Sequence, residues 1–316
     1  MIEARNFSIT YRHRVFKKIY ALNNVTLKIE EGDVVGIAGE SGCGKSTFAR
    51  GILKLFNSWQ IYSMGGEVFV DGQEILKEKE ARLSQIRGKK VAMIFQHPYL
   101  SFNPVLKIKK QIPAGEFSPL QNKGEILSQI LEKVGLEERV LELYPHQLSG
   151  GMLQRVQIAG ALLLKAKVLI ADEPTSSLDA ITQKKIINLL KKIVETENLT
   201  LIFISHNLRL IRYLTKKTFI FYGGFLVEEG PTDEVFENPL HPYTKALLKC
   251  IPEPHKKIEP IPGDPPDLSQ KTSKCPFFER CYKRESICEK FPPYRGERRK
   301  VLCFYPEAKY RIENNK

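Results

Sequence analysis

The sequence predicts an α/β fold with a large first domain and a small cysteine-rich second domain, and three observations carry that prediction. Up to about residue 235, short apolar runs of buried-strand type alternate with helical patterns. One run leads into a glycine-rich turn, and another ends in two adjacent carboxylates. Later the chain turns rich in proline and then in cysteine. We therefore expect domains over residues 1–240 and 241–316.

Composition is that of an ordinary soluble protein. The 316 residues are 42% hydrophobic and 27% charged. The net charge of +13 indicates either plain solubility or an anionic partner, nucleic acid or a membrane face, with the densest basic patches at residues 12–18 and 295–300. No apolar run approaches the roughly eighteen residues that span a bilayer, and the first residues lack the pattern of a secretion signal. The sequence thus predicts a cytosolic protein.

The first elements are strands. Residues 2–10 and 25–30 alternate apolar and polar positions, as edge strands do, and the basic segment between them predicts a loop. Tyr11, at the end of the first strand, is a candidate for stacking on an adenine ring, and Tyr20 competes with it for that role.

A glycine-rich loop, residues 39–47, follows the predicted strand 34–38 and precedes a predicted helix over 47–56. It fits G-x-x-x-x-G-K-[ST], in which glycines let consecutive N–H groups turn inward around phosphate oxygens. The lysine adds a positive charge, the serine offers its hydroxyl to Mg²⁺, and the helix dipole favours the anion. The candidate phosphate-binding residues are Gly39, Ser41, Gly42, Cys43, Gly44, Lys45, Ser46 and Thr47.

The middle of the chain predicts a hairpin and a helical insertion. A strand at 67–70 with the turn Asp71-Gly72 precedes a polar helix and the strand 91–95. Gln96 ends that strand, so its amide could contact Mg²⁺ or a reacting water. From residue 97 to about 165, prolines interrupt helices and loops, as expected of a helical insertion in an α/β core.

A second anion site is predicted at the start of the helix that runs to about Leu164. Ser149, Gly150 and Gly151 offer a hydroxyl and flexible N–H groups at a helix N-terminus. Because the chain already has one phosphate loop, this site makes sense if it is offered to a second chain, with two nucleotides held between the two chains.

The strand 168–171 delivers Asp172 and Glu173. Adjacent residues on a strand point opposite ways, so Asp172 is predicted to reach the Mg²⁺ shell and Glu173 to polarise an attacking water. A helix over 180–194, a strand over 200–204 and strands around 218–228 complete the alternating pattern. His206 follows the strand 200–204 and is a candidate for holding the γ-phosphate and the water.

These motifs, with Ser177-Leu178-Asp179, resemble the ordered set of an ATP-binding cassette (ABC) ATPase over residues 1 to about 240. The resemblance implies a P-loop NTPase fold: a RecA-like core, an antiparallel β subdomain and a helical subdomain at about 97–165. It also implies that Asp179 takes part in nucleotide binding. Met152 departs from the commoner glutamine.

A narrower resemblance is to the D-type ATPase subunit of the oligopeptide/dipeptide importers, carried by residues 95–105, 241–248 and 263–268. His97 stands where that branch commonly has an acidic residue. The resemblance implies a peripheral protein on the cytoplasmic side of the membrane, docked on a transmembrane permease, paired with a related ATPase or itself, and served by an extracytoplasmic substrate-binding protein. Oligosaccharide or nickel cargo is the alternative, and a nucleic-acid-associated ABC ATPase is a rival that one cassette and a short tail disfavour.

Four clustered cysteines, Cys275, Cys281, Cys288 and Cys303, are separated by five, six and fourteen residues. Disulfides are disfavoured in the cytosol, and the close pair usual in structural zinc sites is missing, so wider spacings suit a larger cluster. Zinc and four ordinary thiols remain open alternatives. The importer resemblance implies a [4Fe–4S] cluster.

Overall fold

The computed structural model describes residues 1–112, 123–252 and 259–307. The strands are β1 Ile2–His13, β2 Lys17–Ile29, β3 Val34–Ala38, β4 Ile61–Val70, β5 Gln73–Glu74, β6 Val91–Ile94, β7 Val168–Asp172, β8 Thr200–Ile204, β9 Lys217–Tyr222, β10 Phe225–Pro231, β11 Tyr294–Arg295 and β12 Lys300–Leu302. The α-helices are α1 Lys45–Ile52, α2 Glu80–Ile86, α3 Pro98–Ser101, α4 Lys123–Lys133, α5 Gly150–Leu163, α6 Ala180–Thr196, α7 Leu208–Leu214, α8 Thr232–Glu237 and α9 Pro242–Lys249.

The chain forms two compact units. The first joins Met1–Glu78 to Ile204–Lys316, and the second is Lys79–Phe203. Among the described helices, none is long and apolar enough to cross a bilayer.

The first unit contains an antiparallel sheet in the order β2-β1-β4-β5 and further strands in the order β11-β12-β10-β9-β3. β3 runs parallel to β9, with Ile37 opposite Phe219, so both carry fully buried side chains. Phe48 on α1 packs against the rings of Phe7 and Phe221. This apolar contact fixes the helix that follows the glycine-rich loop.

A long β-hairpin replaces the loop expected between residues 10 and 25. β1 and β2 stay paired as far as His13 and Lys17, and only residues 14–16 form the turn. The tip is exposed on both faces, so its sequence shows no alternation, while backbone hydrogen bonds continue the ladder whatever the side chains are. The prediction of a loop was therefore wrong.

Other boundaries differ by a few residues. The predicted turn is confirmed: Asp71 and Gly72, both at positive φ, connect β4 to β5. β4 begins six residues before the predicted position 67, at Ile61. The helix predicted over 47–56 is α1, which begins at Lys45 and ends at Ile52, because Lys54 adopts a left-handed conformation.

The second unit carries β6, β7 and β8 with α2 to α6. β6 and β7 are parallel, with Val91 opposite Val168. The described part of residues 97–165 consists of helices and turns, as predicted, while Pro113 and Pro119 of the expected insertion lie outside the described residues. Gly151 lets α5 approach α6, because a Cβ there would lie 2.6 Å from Cγ2 of Thr182.

The described tail belongs to the first unit, and a separate cysteine-rich domain is not confirmed. β12 pairs with β10, where Glu228 is opposite Val301, and β11 pairs with β12. Each tail strand has three residues or fewer, too short to show a period in the sequence. The tail therefore gains its hydrogen bonds from an existing sheet edge and buries its apolar side chains there.

Candidate nucleotide-binding site

The glycine-rich loop connects β3 to α1 through conformations that favour glycine. Gly39 and Gly44 have φ of +148° and +103°. A Cβ would lie 2.2 Å from the carbonyl oxygen of Phe221 at the first position and 2.5 Å from that of Ala21 at the second. The loop therefore needs glycine for both backbone angle and space.

Lys45 lies inside the loop and is buried. Its Nζ donates to the carbonyl oxygens of Gly39, at 2.9 Å, and Glu40, at 2.8 Å, and lies 3.7 Å from Sγ of Cys43. Burial raises the pKa of the Cys43 thiol, against the opposing effect of Lys45, and so favours its protonated form. The ammonium group is thus held at the loop by carbonyl oxygens that a polyphosphate could replace as acceptors.

Tyr11 lies beside the end of the loop. Its hydroxyl donates to Oγ1 of Thr47 at 3.2 Å, and its ring meets Phe56 edge to face at 5.7 Å. Burial raises the pKa of Tyr11, while the hydrogen bond to Thr47 opposes that shift. Tyr20, the competing aromatic residue, donates its backbone N–H to Leu268 in the tail.

His206 follows β8 and is exposed. Next to it, the N–H of Ser205 donates to the carbonyl of Ile37 on β3, and the Asn207 side chain caps α7 by accepting from the N–H of Arg209. In the first unit, this turn is therefore anchored to the strand that leads into the glycine-rich loop.

The carboxylate pair of the second unit differs from its expected geometry. Asp172 is the last residue of β7 and is buried, whereas Glu173 lies beyond the strand at φ +46°. Strand alternation was therefore the wrong reason for their divergence. A left-handed turn directs Glu173 instead, and its carbonyl oxygen accepts from the N–H and hydroxyl of Ser176.

The residues predicted at the second anion site lie at the start of α5. Ser149 is the N-cap, and its Oγ accepts from the N–H of Met152 at 3.3 Å. Gly150 and Gly151 form the first turn. Asp179 caps α6 in the same way, because its Oδ1 accepts from two backbone N–H groups at 3.0 Å, which lowers its pKa. Gln96, just beyond β6, is half-buried.

Sequence reasoning missed three residues that hold the glycine-rich loop. Glu40 occupies a position of the loop motif at which any residue is allowed. Its N–H nevertheless donates to the hydroxyl of Tyr243, and its carboxylate pairs with Arg280 in the tail. Burial raises the pKa of Tyr243 far enough to keep its hydroxyl protonated. Tyr243 lies in the segment 241–248, which carried the resemblance to the importers, but it had no assigned role. Nothing in the sequence around Arg280 indicated a partner 240 residues away.

The four clustered cysteines line one pocket of the first unit, together with His241 and aromatic side chains. They are free thiols, and the N–H of Cys275 donates to the carbonyl of Cys288. Burial raises the pKa of Cys275 to about 12 and that of Cys303 to about 11, so both are protonated at neutral pH. Among the residues that the structure describes, no group of three or more His, Cys, Asp or Glu side chains is placed to hold a metal ion.

Two family models match this chain. The ABC transporter model matches residues 22–176, and the model of the oligopeptide/dipeptide transporter C-terminal region matches residues 227–288. Among solved structures, the dimeric ATP-binding cassette MJ0796 in a post-hydrolysis state bound to ADP and Pi aligns with a TM-score of 0.65 at 32% identity. That alignment covers 73% of this chain and 99% of the other.

Three curated relatives extend the similarity over most of the chain. It is 36% identical to the probable D,D-dipeptide transport ATP-binding protein DdpD of Escherichia coli K12, over 92% of each chain. It is 38% identical to the oligopeptide transport ATP-binding protein OppF of Salmonella typhimurium, over 84% of this chain and 81% of the relative. The dipeptide transport ATP-binding protein DppD of Caldanaerobacter subterraneus subsp. tengcongensis is 41% identical, over 87% of each. The chain therefore belongs to the ABC transporter ATPases, within the family of oligopeptide and dipeptide transport ATP-binding proteins.

Proposed function

We propose that this chain is the D-type ATP-hydrolysing subunit of a membrane importer for dipeptides or oligopeptides. The observation that carries the proposal is the match of residues 227–288 to the oligopeptide/dipeptide transporter C-terminal region, in the same chain as an ABC transporter match. Relatives named for dipeptide and oligopeptide transport favour peptides over the nickel or oligosaccharide alternative. The subunit would lie on the cytoplasmic side of the membrane, beneath a permease that receives substrate from an extracytoplasmic binding protein.

ATP is the substrate of the proposed reaction, and residues 1–240 would carry its chemistry. The glycine-rich loop would bind the phosphates, and Tyr11 the adenine ring. Ser46, Gln96 and Asp172 would hold Mg²⁺, since hydroxyl, amide and carboxylate oxygens are the ligands it prefers, and the bound ion would neutralise phosphate charge. Glu173 would accept a proton from the attacking water, which Gln96 and His206 would orient.

The proposed working form is a pair of ATPases, either two copies of this chain or this chain with a related one. Ser149, Gly150 and Gly151 would complete the partner's nucleotide site, and Asp179 would take part in nucleotide binding. Cross-linking of nucleotide in mixed complexes tests this: with Ser149→Ala on one subunit and Lys45→Ala on the other, both lesions should affect the same nucleotide. If they affect different nucleotides, the Ser149 region acts on its own subunit's site and the arrangement in trans is rejected.

For the C-terminal extension, residues 241–316, we propose a [4Fe–4S] cluster held by the four cysteines, with zinc as the alternative. The proposal is supported by the four thiols lining one pocket, although as described they are not placed to hold a metal ion, so binding would require them to move closer together. The raised thiol pKa values mean that any metal must displace protons on binding. When bound, the group would cross-link the tail.

Transport by the reconstituted complex tests the proposed function. The chain, its permease, its partner ATPase and the binding protein would be placed in proteoliposomes and supplied with labelled dipeptide, nickel or oligosaccharide. We expect ATP-dependent uptake of peptide alone, lost when Lys45→Ala removes the loop's cation. Uptake of nickel or oligosaccharide without peptide would identify the alternative cargo, and association with ribosomes or DNA rather than membranes would favour the nucleic-acid rival.

A further inference from the structure

Glu40 is held on three sides by parts of the first unit. Its carbonyl oxygen accepts from Lys45 at 2.8 Å, and its N–H donates to the hydroxyl of Tyr243 at 2.9 Å. Its carboxylate receives both arms of the Arg280 guanidinium, at 2.7 and 3.0 Å. The backbone that carries Lys45's acceptor is thus positioned by two side chains from beyond residue 240.

Arg280 is built into this position. Its side chain is 4% exposed. Besides the carboxylate, its donors reach the carbonyl oxygens of Pro262 at 2.9 Å and Ile261 at 3.3 Å, and the hydroxyl of Tyr222 at 3.3 Å. A buried guanidinium with this many partners is fixed in place, and it presents a bidentate fork to a single carboxylate of the glycine-rich loop.

The loop contains a charge conflict that Arg280 resolves. A segment that must receive a polyphosphate carries the carboxylate of Glu40, whose side chain is 26% exposed and therefore keeps contact with water. Without Arg280, no cation would pair with that carboxylate, and its negative charge would repel the anion. With Arg280, the pair is neutral and Glu40 is held by its side chain and its N–H together.

We propose that Arg280 is a positioning residue of the nucleotide site, which neutralises Glu40 and orients the glycine-rich loop for MgATP, so that the C-terminal tail is a working part of that site. The inference rests on the proposed role of the loop in binding phosphate. It assigns a function to a tail residue that immediately precedes Cys281, one of the four pocket thiols. Occupancy of that pocket and the geometry of the loop would then be linked through one short segment.

Three variants of the full-length chain test the charge argument through displacement of a fluorescent nucleotide by MgATP. Arg280→Met should raise the Kd about tenfold or more, as one unneutralised charge near a polyphosphate predicts. Glu40→Gln should raise the Kd less than Arg280→Met does, because it weakens the fork but leaves no unneutralised negative charge beside the polyphosphate. The double variant Glu40→Gln/Arg280→Met should return to within about threefold of the parent, as the coupling of a directly contacting pair predicts.

Arg299→Met is the matched control. Arg299 is also a buried tail arginine paired with a core carboxylate, since it donates to Glu228 at 2.8 Å and to the carbonyl of Asn238 at 2.8 Å, away from the glycine-rich loop. It should lower the melting temperature as Arg280→Met does, yet leave the Kd for MgATP unchanged. If both variants lower the melting temperature and neither changes the Kd, Arg280 only anchors the tail and the proposal is overturned.

Two further measurements keep the outcomes separate. Lys45→Ala must weaken MgATP binding; if it does not, the proposed role of the loop fails, whereas a normal Lys45→Ala loss with an unchanged Kd in Arg280→Met rejects only this inference. Should Arg280→Met not fold, Arg280→Lys keeps the charge without the fork and should raise the Kd a few-fold above that of the parent; an unchanged Kd would show that the fork does not orient the loop. By reciprocity, MgATP should slow hydrogen exchange in residues 275–281 of the parent and of Arg299→Met, and no such slowing would contradict the linkage.

Discussion

The glycine-rich loop and the C-terminal tail are held in place by different physics. The loop is specified within nine residues by backbone angles and close approaches that only glycine permits, as at Gly39 and Gly44. The tail is specified by partners far away in sequence: Arg280 pairs with a residue 240 positions earlier, and Arg299 with one 71 positions earlier. A local specification can be read from the sequence, whereas a long-range one becomes visible only when the chain is folded.

The largest expected effect tests whether the chemical step depends on the local motifs. Glu173→Gln should slow ATP hydrolysis by about two orders of magnitude or more while MgATP binding is kept, because the amide cannot accept the water's proton. Turnover and nucleotide binding are measured on the same preparation. Glu142→Gln, which removes a surface carboxylate paired with Lys107 and Lys109 in the same unit, is the control and should leave both unchanged. Near-normal turnover in Glu173→Gln would remove its assignment as general base.

A second pair of variants tests how strongly close approach to neighbouring atoms constrains the glycine-rich loop. Gly39→Ala should destabilise the first unit by about 3 kcal/mol or more, because the new methyl group would meet the backbone of Phe221 and the backbone angle is unfavourable. Gly42 also has a positive φ, but a Cβ there would meet no atom within 4 Å. Gly42→Ala should therefore lower the free energy of unfolding by only about 1 kcal/mol. Denaturant unfolding measures both, and equal losses would show that close approach does not constrain the loop.

Much of the fold followed from the sequence for the same local reasons. The buried strands β6, β7 and β8 lie within one residue of their predicted positions, because continuous apolar runs identify strands covered on both faces. The tip of the β1–β2 hairpin was missed since exposed strands show no alternation. Glu173 was expected to continue the strand that contains its neighbour Asp172. The residue pattern does not indicate the left-handed conformation that Glu173 adopts instead.

The candidate site was predictable as a set of motifs and not as a set of contacts. Lys45 was identified by its spacing, but its hydrogen bonds to two loop carbonyls were not. Ser149 and Asp179 were assigned to nucleotide binding, and the structure adds that each caps a helix in its present contacts. Glu40, Tyr243 and Arg280 could not be found as a group, because a hydrogen bond between distant segments has no periodicity.

In the tail, we expect the metal content to depend on all four cysteines together rather than on a single residue. Replacing any of Cys275, Cys281, Cys288 or Cys303 by serine should abolish a metal content that all four support, as loss of one ligand usually does. Iron, sulfide and zinc would be measured after anaerobic purification, together with the visible spectrum. Cys250→Ser is the control, because its thiol donates to backbone carbonyls and does not line the pocket. If the parent contains zinc and no sulfide, the four cysteines hold zinc and not an iron–sulfur cluster. If it contains neither iron nor zinc, they are four ordinary thiols.

The smallest expected effect concerns the Tyr243 hydroxyl, which joins the tail to the glycine-rich loop. Tyr243→Phe removes the acceptor of the Glu40 N–H and leaves that part-buried donor without this partner, which should cost about 1 kcal/mol of stability and weaken MgATP binding by up to about fivefold. Tyr294→Phe removes a comparable tail hydroxyl, which donates to the carbonyl of Leu226 at 2.8 Å, without touching the glycine-rich loop. Both variants should therefore lose similar stability by denaturant unfolding, while only Tyr243→Phe changes the Kd for MgATP. If the two variants bound MgATP equally, the hydroxyl would serve the fold alone, and the orientation of the loop would rest on the Arg280 fork and the glycine backbone.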